Sequence, residues 1–166
     1  MRISTRVAAA MVVACSLVAT AAHAQSATIQ ALANVYQPIT VTGARDLDFG
    51  NVFPGIAKTI AIADPTSGRF DLGGQASANV DLTFTLPPNL TGPAAATMPI
   101  GSWTGCYNAT NATAGCTSFT PSGTATPTSF SGAGALFVWV GGQVTPAANQ
   151  TAGSYVGTVQ LDAAYF

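Results

Sequence analysis

The chain has 166 residues, of which 48% are hydrophobic and only 7% charged, enough for one domain with a real core but not for two. Beyond residue 24, Arg45, Lys58 and Arg69 stand against six aspartates, a net charge near −3 that gives nucleic acid or an anionic membrane nothing to bind. There is no glutamate and the single histidine is His23, so general-base, zinc and serine- or cysteine-triad chemistry lack their residues beyond that point; the chain reads as a non-enzyme needing no cofactor and no metal.

Arg2 and Arg6 form a basic head, Val7 to Ala22 is almost wholly apolar, and Ala22-His23-Ala24 has the small-x-small form of a secretory cleavage site. Residues 1–24 are therefore expected to be a signal peptide and 25–166 a single exported domain without a membrane span. Val12-Val13-Ala14-Cys15 also matches a lipoprotein box, but the apolar run continues past Cys15 to Ala22.

In chain order, Ala27 to Val35 alternates, with Ile29, Ala31, Ala33 and Val35 on one face. Pro38 interrupts, and Ile39 to Val41 resumes the strand. Arg45 to Phe49 turns Leu47 and Phe49 inward and Asp46 and Asp48 outward, the two aspartates reading as surface charge rather than a calcium site. Ile56 to Ala63 and Arg69 to Leu72 follow as strands, and Val80, Leu82, Phe84 and Leu86 make an inward row ended by Pro87-Pro88. In the Thr-, Gly- and Pro-rich middle, strands are expected near Met98 to Tyr107 and Thr117 to Phe119. Ala135 to Val140 is apolar at every position, as in a strand buried on both faces. From Tyr155 to the end, Tyr155, Gly157, Val159, Leu161, Ala163 and Tyr165 alternate with Thr158, Gln160 and Asp162, a long terminal strand that needs neighbours on its edges. Short strands with Gly/Pro punctuation and no helical period predict an all-β sandwich of about seven strands.

Cys106 and Cys116 are the only cysteines beyond the signal, and in an oxidising compartment they are expected to pair; closing so short a loop stabilises a fold by roughly 3 kcal/mol in the loop-entropy account. Beside that loop, Trp103 and Tyr107 read either as core or as an aromatic face for a glycan.

The run Val138-Trp139-Val140-Gly141-Gly142-Gln143-Val144-Thr145-Pro146-Ala147, then Gln150-Thr151-Ala152-Gly153-Ser154-Tyr155-Val156-Gly157-Thr158-Val159, resembles the C-terminal signature of a bacterial secreted family, the domain of unknown function 4402, and Leu47-Asp48-Phe49-Gly50 fits the same family. That family is similar to chaperone-usher pilins of the spore-coat-like branch, which also bracket an alternating last strand with a glycine fourteenth from the end, here Gly153, and a penultimate tyrosine, here Tyr165. The resemblance implies an immunoglobulin-like, pilin-like sandwich lacking one strand, exported to the periplasm or surface of a Gram-negative-type bacterium. Its partners would be a periplasmic chaperone and identical or related subunits. It makes residues 25–37 a candidate donor-strand extension and Gly153, Tyr155, Val159, Leu161, Ala163 and Tyr165 a candidate assembly strand. Two alternatives stay open: Ile29 to Val35 is the first strand of its own sheet, or the chain is a monomeric secreted or cell-surface binding module of glycan or adhesin type.

Overall fold

The structure, a computed structural model, describes residues 25–166; the expected signal peptide over residues 1–24 and Cys15 lie outside the described residues. The chain divides between Asn34 and Val35. In the first unit, residues 25–34 form no strand and are exposed, Ile29 at 96% and Leu32 at 86%. This corrects the expected strand over Ala27–Val35. Alternation supplies one face for a strand, but a strand persists only where its backbone finds a ladder, and none of these residues has a ladder partner among the described residues.

The second unit is all-β. Its strands are β1 (Thr40–Arg45), β2 (Lys58–Ile60), β3 (Gly68–Gly73), β4 (Asn79–Thr85), β5 (Asn89–Thr91), β6 (Thr97–Asn108), β7 (Thr117–Phe119), β8 (Thr126–Ser129), β9 (Ala135–Val144) and β10 (Gln160–Tyr165). One sheet runs β1-β3-β9-β6-β5, with β2 also pairing β9 and β7 also pairing β6; the other runs β10-β4-β8, and every pairing is antiparallel.

Alternation places the core. Val80, Leu82 and Phe84 of β4 and Leu161 of β10 meet Leu72 of β3 and Leu136, Val138 and Val140 of β9, one cluster drawn from both sheets, as in a β-sandwich. Leu86 and Val159, both expected to face inward, are partly buried and packed against that cluster. β9 lies between β3 and β6, and Trp139 on its other face is buried too, which is why its sequence does not alternate in polarity. A second cluster, Phe49, Ile60, Met98, Ile100 and Val144, sits towards the other end of the sheets.

Two expected strands shorten. Ile56–Ala63 retains only β2, because β9 offers just Gly142 to Val144 as partners beyond the stretch taken by β3. The terminal strand begins at Gln160 rather than Tyr155. Its partner β4 ends at Thr85, opposite Gln160, and Pro87-Pro88 cannot extend the ladder.

Tyr165 ties the ends of this unit together. Its hydroxyl donates to the Gln37 carbonyl at 2.7 Å and accepts from the Gln75 amide at 2.6 Å, while its ring meets Tyr36 edge-on at 5.2 Å and packs near Phe130 at 6.0 Å. Gly74 leaves the space this needs, since a Cβ there would stand 2.6 Å from the Phe130 ring and 2.7 Å from the Tyr165 hydroxyl.

Candidate functional site: a groove between two sheet edges

β1 is the edge of one sheet and β10 the edge of the other, and among the described residues no strand pairs with the free side of either. Where both edges continue past their ladders, the sandwich opens into a groove of about 810 Å³. That volume is within the roughly 300–1,000 Å³ of ordinary ligand sites.

The first lip is Asp46–Val52. Arg45, the last residue of β1, fixes its start: its Nε donates to the Ser67 carbonyl at 2.6 Å and its Nη2 to the Ser67 hydroxyl at 2.8 Å, so the wholly buried Ser67 is satisfied by a guanidinium. The Asp48 amide donates to Thr66 at 3.0 Å, and the Asp48 carboxylate accepts from the Gly50 amide at 2.7 Å, turning the chain at a glycine with φ of 57°. Leu47 and Phe49 point inward as expected, in an irregular segment rather than a strand, and Asp46 and Asp48 are exposed.

The second lip is Gly153–Val159. Val156 exchanges both backbone hydrogen bonds with Thr91, at 2.8 and 2.9 Å, and Tyr155 accepts from Gln150 Nε2 at 2.6 Å while donating to the Thr151 carbonyl at 2.8 Å. Gly153 has φ of 144°, a conformation side chains disfavour, and a Cβ there would collide with the Pro93 ring. From Gly157 to Val159 the backbone bonds to no other segment among the described residues.

The floor is Phe70, Leu90, Met98, Ile100, Val140 and Val144. An apolar floor flanked by backbone with free N–H and C=O groups recognises an extended peptide: the lips can pair with its main chain and the floor takes alternate side chains.

Of the candidate assembly strand, Gly153, Tyr155 and Val159 line this groove, while Leu161, Ala163 and Tyr165 lie in β10 beyond it. The candidate donor residues Ile29, Ala31 and Ala33 belong to the separate unit, and Val35 is 94% exposed. Cys106 and Cys116 are bridged, with Cα atoms 5.8 Å apart. Trp103 and Tyr107 are partly buried against the core rather than forming an exposed face. Sequence reasoning missed Phe70, Met98 and Ile100 as floor residues. The available signal was a mismatch of lengths: the terminal alternation runs eleven or so residues, while the row that must pair with it stops at Pro87. Among the described residues no helix is long and apolar enough to cross a membrane.

The model of a protein family described as Domain of unknown function (DUF4402) matches residues 39–165. No curated protein matches the chain.

Proposed function

We propose that the chain, which belongs to the family Domain of unknown function (DUF4402), is an exported, non-enzymatic surface or fibre subunit completed by an extended segment of another copy laid into its groove. The observation that carries this reading is the groove itself, about 810 Å³ over an apolar floor beside the open edges of β1 and β10, with the backbone of Gly157 to Val159 unbonded to any other described segment.

The occupant is the alternating segment Ile29, Ala31, Ala33 and Val35 of a neighbouring subunit. Its side chains are small to medium, its backbone is unpaired among the described residues, and an isolated subunit leaves Ile29 and Val35 in water at 96% and 94% exposure. Apolar burial is worth about 25 cal/mol per Å², and the ladder along the lips satisfies the remaining donors and acceptors. Before assembly a periplasmic chaperone would cover the same floor, since an exposed groove between open edges invites unspecific pairing.

Light scattering on the mature protein tests this. Full-length mature protein is expected to form multimers, whereas a variant lacking Ala27–Val35 stays monomeric and is stabilised by a synthetic peptide of that segment. A full-length protein that remains monomeric, with a deletion variant indifferent to the peptide, would remove the reading.

A further inference from the structure

Two apolar surfaces at opposite ends of the sandwich have no cover among the described residues, and strand register places them. β9 runs from Ala135, opposite Gly73, to Val144, opposite Lys58, a span of about 30 Å at the rise of a strand. The Tyr165 hydroxyl, bonded to the Gln75 amide just past Gly73, marks the first end. A turn at residues 53–56 marks the second, its Gly55 amide donating to the carbonyls of Pro146 and Ala147 just past Val144 at 3.2 and 3.1 Å.

That turn is well fixed. The Ile56 amide donates to the Phe53 carbonyl at 3.1 Å across a Pro-Gly corner in which Gly55 has φ of 74°, a conformation that favours glycine. It holds two large apolar side chains in water, Phe53 at 65% exposure and Ile56 at 62%, beside exposed Pro54, Ala57, Ala147 and Ala148. Turns are ordinarily built from small and polar residues. Lys58, the nearest charge in sequence, is spent on the Asn51 carbonyl at 3.1 Å. An uncharged apolar tip of this kind is a surface for another protein.

The groove decides which protein. Val52, the residue before Phe53, lines the groove, as does Val144 at the end of β9, so the turn stands at one mouth of it. In the assembly proposed above, on which this inference rests for its partner, a neighbour's Ile29 to Val35 fills the groove. No linker separates that segment from the neighbour's body, because Tyr36 follows Val35 directly and is held by the Tyr165 ring at 5.2 Å, and Gln37 by the Tyr165 hydroxyl at 2.7 Å. One residue is about 3.5 Å of chain, so wherever Val35 leaves the groove, the neighbour's Tyr165 end arrives with it. The groove's other end leads to β1 and β10, where Thr42, Gln160 and Asp162 are exposed and polar. The Tyr165 end instead carries Tyr36 and Phe166, each more than half exposed, and these match the apolar turn.

We infer that the turn at residues 53–56 is the docking surface for the Tyr165 end of a second copy, with Phe53 and Ile56 covering Tyr36 and Phe166 and the donated segment leaving the groove at that mouth. The two surfaces differ and lie at opposite ends, so the contact is head to tail and propagates from copy to copy instead of closing on a pair.

Paired substitutions separate docking from groove filling. Phe53→Ser with Ile56→Ser, made at exposed side chains, is expected to leave the thermal midpoint unchanged. In the variant lacking Ala27–Val35, the pair is expected to keep affinity for the Ala27–Val35 peptide within about twofold, as for independent sites. In full-length protein, it is expected to raise the concentration needed for multimers in light scattering about tenfold. Mixed copies, one bearing Ile56→Cys and the other Phe166→Cys, are expected to cross-link to each other and neither to itself. Unchanged multimerisation with unchanged peptide binding, or cross-links only between like variants, would overturn the docking and leave the donated segment standing. Loss of the peptide on substituting the turn would make Phe53 and Ile56 part of the groove and overturn it too; a peptide that ignores the unsubstituted deletion variant would remove both readings.

Discussion

Tyr165 shows how one side chain near the terminus serves positions far away in sequence. A tyrosine closing an alternating run is visible on reading, but its partners Gln37 and Gln75 lie 128 and 90 residues away, and nothing local announces them. Removing only its hydroxyl leaves the Gln75 amide and the Gln37 carbonyl without their partner, while the ring contacts to Tyr36 and Phe130 persist. Tyr165→Phe is expected to destabilise the fold by about 1–2 kcal/mol in urea unfolding, with an unchanged m-value because the surface buried stays the same. Gly153 was legible as a marker of the terminal segment. Its physical reason, a φ of 144° against the Pro93 ring, was not, because Pro93 arrives from the loop after β5.

Among the elements, those with apolar periodicity were read close to their bounds. β4 and β9 fill the core as their rows of Val, Leu and Phe require, and β7 was read residue for residue as Thr117–Phe119. β5 and β8 went unread because Asn89–Thr91 and Thr126–Ser129 carry almost no apolar pattern; β8 even contains Pro127, tolerable only because β8 is the edge of its sheet. These two form where a neighbour's backbone is already in place, a circumstance of the assembled sheet rather than of their own residues. The bridge between β6 and the lead-in to β7 acts on the unfolded chain. Replacing Cys106 and Cys116 by serine is expected to lower stability by roughly 3 kcal/mol, read as a lower denaturation midpoint, with far-UV circular dichroism still that of a β protein.

At the scale of the whole molecule, the sequence showed that a terminal strand required company but not that its first half would go without. The groove depends on where β4 stops, how β1 bends off β3 after Arg45 and how β5 captures Val156, three separate registers that no single stretch encodes. A segment that binds only the folded subunit shifts its stability by mass action. Titrating the Ala27–Val35 peptide into the deletion variant is expected to raise the thermal midpoint without a plateau, the stabilisation reaching about 2.7 kcal/mol when free peptide stands at a hundredfold excess over its dissociation constant. A midpoint indifferent to peptide concentration would show the groove unoccupied.

The attachment of Tyr36 and Gln37 to Tyr165 also fixes how the domain carries tension. A pull on the segment before Val35 is met by the Tyr36 ring contact and the Tyr165 hydroxyl, then by the Gln37 amide on Gln75 and by Ile39 against the core, before it reaches Thr40, the first residue of β1. From there the load runs lengthwise along an antiparallel ladder of five paired positions, Thr40↔Gly73 through Arg45↔Arg69, which must slip together instead of opening one at a time from an end. The arm is thus tethered in shear, with an aromatic brake at its root.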